Sequence, residues 1–135
     1  MEEYINKSAY ELSLGQKQRV TIAGVLSIKP KYIIMDEPTA MLDPEGKNDI
    51  KEIVNKLKGL GFTIIYITNI IDEIFISDRI IVLEKGKVIK EIENKDIIEN
   101  IDFLKNAGIT IPKAIETARK LKTMGIDIDF KEIIW

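Results

Sequence analysis

The sequence contains neither cysteine nor histidine. The absence of cysteine excludes disulfides, Cys-ligated zinc and a thiol nucleophile. The absence of histidine removes the commonest general base and the commonest metal ligand. Any acid–base chemistry carried by these 135 residues must therefore fall to Asp, Glu, Lys or Tyr side chains.

Long apolar runs and an excess of positive charge are also missing. No apolar run reaches the roughly 18–20 residues that a membrane-spanning helix needs, and the first residues lack the basic and apolar regions of a signal peptide. With 20 basic and 22 acidic residues the net charge is −2, so no global basic field favours nucleic acid or anionic lipid. We therefore expect a cytoplasmic protein that does not bind nucleic acid.

The first helix is predicted from a capping signal followed by helical spacing. Ser13 and Gln16 have the S-x-x-Q spacing of a capping box, and the helix is expected to end before Pro30. Apolar residues recur at helical spacing between these points and predict a buried stripe. The stripe consists of Val20, Ile22, Ala23, Val25 and Leu26.

Two short apolar runs, 32–35 and 63–68, predict buried strands of a parallel sheet covered by helices. Between them, Asp43 and Pro44 have the pattern of an N-cap followed by the first helical residue. Glycines at positions 59 and 61 are expected to end this helix. The buried stripe of the helix is predicted at Ile50, Ile53, Val54 and Leu57.

The second half predicts one or two helical turns over 69–76, then strands at 79–83 and 87–92 joined by a tight Lys85-Gly86 turn. From 95 the pattern becomes helical, with one helix over 95–106 and a second that begins at Pro112 and has Ile115, Ala118, Leu121 and Met124 inward. Ile126, Ile128 and Phe130 alternate weakly. This change predicts an α/β part at 1–93 and a small helical extension at 94–135.

The strongest chemical signal is the carboxylate pair Asp36-Glu37 at the end of the first apolar strand. Open α/β sheets bind ligands at the carboxyl ends of their strands. Asp36 could hold Mg²⁺ through water, and Glu37 could orient and deprotonate an attacking water. The alternative is that the strand simply ends in two exposed carboxylates.

A second signal lies at the start of the first helix. Ser13 and Gly15 would present a hydroxyl, free N–H groups and the positive end of the helix dipole, which suits a phosphate. The alternative is that these residues only cap the helix.

Three segments together resemble the nucleotide-binding subunit of ABC transporters. They are LSLGQKQRV at 12–20, YIIMDEPTA at 32–40 and LDP at 42–44, which match the signature motif, the Walker B strand and the D-loop of that family. The resemblance covers nearly the whole chain but only the C-terminal part of the family's domain. It implies a partial P-loop NTPase fold of the ABC type, with a mainly parallel sheet flanked by helices.

The resemblance also implies roles for individual residues in binding ATP and Mg²⁺. Ser13, Gly15 and Gln16 would contact the γ-phosphate of an ATP bound mainly to the opposite subunit of a head-to-tail dimer. Asp36 would support Mg²⁺ and Glu37 would be the catalytic base.

Two further positions take implied roles. Asp43 would lie in the D-loop, which couples the two nucleotide sites across the dimer interface. Asn69 stands where the family usually has its switch histidine.

Two other segments, VTIAGVL at 20–26 and FLKNAGITIP at 103–112, are similar to the energy-coupling-factor ATPases, which drive uptake of vitamins or of cobalt and nickel ions. In that group a C-terminal helical extension helps to hold the two ATPases together. The resemblance implies a second ATP-binding subunit and membrane-embedded transporter subunits as partners. The protein would sit on the inner face of the cell membrane, and the transported substrate would bind elsewhere. The alternative is that the tail helices merely cover a sheet edge.

The sequence departs from the family pattern in three ways. It contains no G-x-x-x-x-G-K-[ST] loop, whose backbone N–H groups and Lys hold the phosphates. Asn69 can hydrogen-bond a phosphate oxygen but cannot carry charge or relay a proton. Leu14 and Met41 stand where the family has small residues. We therefore expect the isolated chain, as a piece of the ATPase, to bind ATP weakly and not to turn it over.

Two other functions are compatible with the motifs. One is a non-catalytic partner or regulatory module, because Ser13 and Gly15 would act in trans on a full-length ATPase. The other is a soluble ABC-type ATPase of translation or DNA repair, which the acidic net charge and the short tail disfavour.

Overall fold

The structure, a computed structural model, describes residues 7–126. The chain divides into two compact units, with the division between Ile67 and Thr68. Helices and strands alternate in the first unit, whereas the second contains a β-hairpin followed by helices. The boundary predicted at 93–94 lies inside the second unit, where hairpin and tail residues share one core. The motif-based division therefore stays a prediction.

The first unit begins with a capped helix. Helix α1 spans Leu14–Ser27, and Ser13 and Gln16 form the predicted capping box. A short 3₁₀ turn, Ala9–Glu11, precedes it and has its own capping box from Ser8. Both starts follow from the same chemistry, since a serine oxygen accepts one of the N–H groups that a helix start leaves unpaired.

A strand–helix–strand unit follows. Strand β1 spans Tyr32–Asp36, helix α2 spans Pro44–Gly59, and strand β2 spans Thr63–Ile67. The two strands are parallel, in a register that pairs Tyr32 with Thr63 and Asp36 with Ile67. The helix has the predicted Asp43 N-cap, and Gly61 adopts a positive φ of 84° just beyond its end.

One face of this sheet is buried and the other is exposed. Ile33 and Met35 of β1 are buried, as are Ile50, Val54 and Leu57 of α2. The opposite face, formed by Tyr32, Ile34, Ile65 and Ile67, is about half exposed or more. The prediction of strands buried on both faces is therefore wrong for these residues, because helix α2 covers one side only of a two-stranded sheet.

The predicted stripe of α1 is also largely exposed. Of its five members only Ile22 is buried, while Val20 and Val25 are 42% and 40% exposed. Helical spacing correctly predicts a helix, but it cannot show whether another element covers the apolar side.

The second unit contains a short helix, α3 at Ile71–Ile74, and an antiparallel hairpin. Strands β3, Arg79–Glu84, and β4, Lys87–Glu93, are joined by Lys85 and Gly86, whose φ angles are 49° and 75°. Two consecutive positive φ angles are typical of the tight turn that the sequence predicts.

The tail of the second unit is helical but interrupted. Two 3₁₀ turns, Asn94–Asp96 and Ile98–Asn100, lead into helix α4, Ile101–Asn106. The single helix predicted over 95–106 is thus shorter than expected. Helix α5 spans Lys113–Thr123, with Pro112 as its N-cap, one residue from the predicted start. Met124, predicted inward, is 75% exposed. The alternation predicted at Ile128 and Phe130 lies outside the described residues.

One apolar core unites the hairpin and the tail. Ile97, Ile101, Leu104 and Ile115 are 0–1% exposed, and they belong to the same cluster as residues of α3, β3 and β4. The remaining buried members are Ile71, Ile74, Ile80, Val82 and Ile92. The tail therefore forms part of the fold of the second unit.

Candidate functional site

The segment Ser13–Gln16 lies at the surface, at the N-terminus of α1. The Gln16 backbone N–H donates to Ser13 Oγ at 3.2 Å, and the Ser13 N–H donates to Gln16 Oε1 at 2.9 Å. Gly15 has open space around it, since a Cβ added there would meet no atom within 4 Å. The helix start thus combines open backbone at Gly15 with the positive end of a helix dipole.

The N-terminus of α2 opens into the same groove as that of α1. Asp43 Oδ1 accepts the Gly46 N–H at 2.8 Å and so caps α2. The groove has a volume of about 340 Å³. Its lining residues come from both helix starts and the loop before α2: Ser13, Leu14, Gly15, Arg19, Met41, Leu42, Asp43, Glu45, Gly46 and Asp49. Three sequence-predicted site residues, Ser13, Gly15 and Asp43, therefore come together here.

An ion pair that the sequence did not predict joins the two helices beside this groove. The Arg19 guanidinium donates to the Asp49 carboxylate, and the two side chains are 28% and 43% exposed. The residues are 30 positions apart, and neither belongs to a recognisable pair in the sequence. Nothing in the local pattern could have identified this contact.

Two of the departures from the family pattern also line the groove. Leu14 is 48% exposed and Met41 is 93% exposed. Met41 adopts a positive φ of 64°, which favours a residue without a Cβ. Both side chains therefore add apolar bulk at the groove rather than filling the core.

The carboxylate pair lies at the carboxyl end of β1, as predicted. The Glu37 N–H donates to the Ile67 carbonyl at 2.9 Å, which extends the β1–β2 pairing by one residue, and Glu37 has a positive φ of 43°. The chain then turns, with the Ala40 N–H donating to the Glu37 carbonyl at 3.0 Å. Asp36 and Glu37 are both exposed, and neither lines the groove.

Asp36 and Glu37 offer oxygen ligands to a hard cation, but two carboxylates alone do not complete its coordination. Mg²⁺ is commonly held by one or two carboxylates together with water and substrate phosphates. Within residues 7–126 no group of three or more acidic side chains converges on a metal position. Asp36 thus fits a magnesium site that phosphate and water complete, and does not fit an all-protein cage.

Asn69 lies in the second unit, two residues after the end of β2, and is exposed. The neighbouring Thr68 Oγ1 accepts the Ile70 N–H at 3.1 Å and donates to Glu73 Oε2 at 2.6 Å. Sequence reasoning missed Glu73. Its helix, Ile-Asp-Glu-Ile, is half acidic, so nothing in the local sequence indicates that Glu73 is buried.

Comparison with known proteins identifies the family. The sequence profile described as ABC transporter matches residues 1–40. Energy-coupling factor transporter ATP-binding protein EcfA1 of Clostridium novyi is 45% identical over 132 residues, which include 95% of this chain. The chain belongs to the ABC transporter ATPase family. It spans 46% of that relative's length and about half the length of the curated relatives that it matches.

Solved structures agree with the fold expected of the ABC transporter ATPase family. CbiO1 of Clostridium perfringens, described as part of the ABC transporter complex CbiONQ, aligns with a TM-score of 0.66 and 36% identity. The alignment covers 93% of this chain and 49% of that one. A dimeric bacterial ABC transporter cassette, MJ0796, aligns with a TM-score of 0.62 and 35% identity over 70% of this chain and 41% of that one. The α/β fold of a partial P-loop NTPase is thereby confirmed.

Proposed function

We propose that this chain forms the signature, Walker B and D-loop part of an ATP-hydrolysing subunit of an energy-coupling factor transporter. The observation that carries the proposal is the groove in which the N-termini of α1 and α2 meet, lined by Ser13, Gly15 and Asp43. The start of α1 presents the open backbone at Gly15 and a positive dipole end to this opening, which favours a phosphate. Similarity to EcfA1 proteins supports the transporter class.

On this proposal the signature segment acts on a nucleotide held by another subunit. Ser13 carries a hydroxyl and Gln16 an amide, and the open space at Gly15 lets a phosphate approach the backbone. All three would contact the γ-phosphate. Asp43, which lines the same groove, would couple the two nucleotide sites across the dimer interface.

The strand end supplies the hydrolytic chemistry in this proposal. Asp36 would hold Mg²⁺ through water, and the ion neutralises charge on the transferred phosphoryl group when bound. Glu37 would orient and deprotonate the attacking water. Asn69 would hydrogen-bond a phosphate oxygen, because an amide can donate but cannot relay a proton.

The 135 residues contain no phosphate-binding loop of the G-x-x-x-x-G-K-[ST] type. We therefore expect this chain by itself to bind Mg-ATP weakly and to release no phosphate from it catalytically. Its nucleotide chemistry requires a second ATP-binding subunit, arranged head to tail. Transmembrane subunits would bind the transported substrate and place the assembly on the inner face of the membrane.

A second candidate is a non-catalytic module that completes a site on a full-length ATPase. The open groove favours it, because its residues need no phosphate loop of their own to act in trans. Both candidates predict that the groove recognises a nucleotide-loaded partner. They differ in whether Asp36 and Glu37 also take part in turnover.

Within residues 7–126, no helix combines the length and apolar character needed to cross a bilayer. In the proposal, partner subunits attach the chain to the membrane.

The test measures ATP-dependent association with an intact EcfA-type ATPase. Gly15→Asp places a negative charge at the groove, where it should repel phosphate, and we expect at least about a tenfold loss of ATP-dependent binding. Tyr10→Asp is the matched control, since Tyr10 lies two residues after the capping Ser8, as Gly15 does after Ser13, but does not line the groove. Equal binding by both variants would reject the groove as the phosphate site.

Phosphate release separates the two candidates. The wild-type chain and Glu37→Gln are each mixed with the intact ATPase and Mg-ATP. A slower rate with Glu37→Gln supports the hydrolytic role, whereas equal stimulation by both supports the non-catalytic module. Sustained release by the chain alone, after contaminating ATPases are removed, would contradict both.

A further inference from the structure

Glu73 is a buried acid of the second unit, four residues after Asn69, and the proposed function gives it no role. Glu73 is 2% exposed, although carboxylates are rarely buried unless they are paired or hydrogen-bonded. Its Oε2 accepts the Thr68 hydroxyl at 2.6 Å. Glu73 is therefore tied to the residue immediately before Asn69.

The Thr68 hydroxyl links this acid to the backbone on the other side of Asn69. The Thr68 hydroxyl donates its proton to Glu73 Oε2. Its lone pairs then face the Ile70 N–H, which donates to Thr68 Oγ1 at 3.1 Å. The two bonds form one directed chain, from Ile70 through Thr68 to Glu73, and this chain encloses the backbone of Asn69.

The same turn is tied to the C-terminal tail. Ile70 forms an isolated parallel β-bridge with Thr110, which lies between α4 and α5. Ile71 and Ile74 of α3 belong to the core that contains Ile101 and Ile115 of the tail helices. A shift of the tail would therefore act on both the backbone and the packing of the turn at Asn69.

We propose that Glu73 and Thr68 are positioning residues for Asn69, and that the Ile70–Thr110 bridge connects the tail to the hydrogen bonds that hold this turn. This inference rests on the proposed function, in which Asn69 faces a phosphate. Glu73 does not reach the phosphate in this account. It holds Thr68, and Thr68 holds the turn.

The arrangement gives the tail a regulatory route to Asn69. Movement of the segment around Thr110, when partner subunits close or separate, would pass through Ile70 to the residue next to it. This connection is short. Thr110 pairs with Ile70, and Ile70 is the residue directly after Asn69.

The first test measures hydrogen exchange of the Ile70 amide by NMR on the full 135-residue chain, without nucleotide. Glu73→Met keeps the size of the side chain but removes the acceptor, and Thr68→Val removes the hydroxyl. We expect Ile70 to exchange at least about tenfold faster in both variants. Glu73→Gln and Thr68→Ser keep the hydrogen bonds and should stay within about threefold of wild type.

A second readout follows Asn69 and Thr110 directly. The Asn69 side-chain amide and the Thr110 backbone amide should change chemical shift in Glu73→Met and return toward wild type in Glu73→Gln. Glu99→Met is the matched control, because Glu99 is an exposed acid of the same unit. A change at Asn69 without one at Thr110 would reject the link to the tail.

Fold integrity is monitored at Val82 and Ile92 in the hairpin. If the amides of Val82 and Ile92 exchange faster in Glu73→Met, that variant is unfolded in part, and the Ile70 exchange of the milder Thr68→Val variant is used to test the proposal. Unchanged Ile70 exchange in a folded variant overturns the positioning role. No nucleotide is present in these measurements, so a failure of the proposed function leaves them unaffected, and a failure of positioning leaves the groove experiment unaffected.

Discussion

The guanidinium of Arg19 in helix α1 pairs with the carboxylate of Asp49 in helix α2. This is the observed side-chain link between the helix that starts at the signature segment and the helix that starts at the D-loop segment. Both residues line the groove, so the pair connects its two walls. Its energetic contribution is measurable by itself.

We predict a coupling free energy of about 0.5–1 kcal/mol between Arg19 and Asp49, the upper range for partly exposed ion pairs. Arg19→Met, Asp49→Asn and the double variant give the coupling from urea unfolding followed by circular dichroism. The exposed Lys56–Glu52 pair, 3.4 Å apart on α2, is the control and should give less. A coupling no larger than that of the control would show that Arg19 and Asp49 do not hold the helices together.

Gly46 lies against the Asp43 cap of α2, and this contact decides whether a larger residue at position 46 raises or lowers stability. A Cβ at Gly46 would lie 2.9 Å from Asp43 Oδ1, the atom that accepts the Gly46 N–H. Gly59, in the same helix, has no atom within 4 Å of an added Cβ. We expect Gly59→Ala to stabilise by roughly 0.5–1 kcal/mol through helix propensity and Gly46→Ala to give no gain.

The cap explains this difference only if removing it restores the gain. In an Asp43→Ala background, which itself loses about 1 kcal/mol of cap energy, Gly46→Ala should become stabilising. Urea midpoints at constant m value provide the measurement. Equal stabilisation by Gly46→Ala and Gly59→Ala in the wild-type background would contradict the account.

Asp102 and Arg119 join α4 to α5 through a two-pronged ion pair. Both Asp102 oxygens accept guanidinium N–H groups at 2.6 Å. The hydrogen bonds from Arg119 hold the pKa of Asp102 below its usual value. A lowered folded-state pKa stabilises above the unfolded pKa, about 3.9 for Asp, and this stabilisation is lost as the pH falls through the lower folded value.

We therefore predict that Asp102→Asn lowers the melting temperature at neutral pH and that the deficit shrinks as the pH falls below about 4. Thermal melts at several pH values, followed by circular dichroism, measure it. Glu99→Gln, a charge change at an exposed acid of the same unit, should show no comparable pH-dependent deficit. A deficit for Asp102→Asn that persists unchanged at low pH would exclude the ion pair as its cause.

Local structure followed the sequence closely. The caps at Ser13 and Asp43 and the turn at Lys85-Gly86 are confirmed. Each depends on residues no more than about four positions apart, so the interacting groups are visible together in the sequence.

Burial followed the sequence less well. Ile50 and Val54 of α2 are buried as predicted, whereas Val25 of α1 and Ile34 of β1 are exposed. All four lie in apolar patterns of similar quality. Apolar spacing shows which side of an element favours burial, but whether that side is covered depends on elements elsewhere in the chain.

The family, the segments that carry its motifs and the starts of α1 and α2 were determined by the sequence alone, since motif identity and capping are local. Only the tertiary structure decided that Ser13 and Asp43 share a groove, that Arg19 pairs with Asp49, and that Glu73 holds Thr68. The physical reason is that side-chain hydrogen bonds and ion pairs require contact distances of a few ångströms, and folding sets those distances between residues whose separation in sequence carries no information about them.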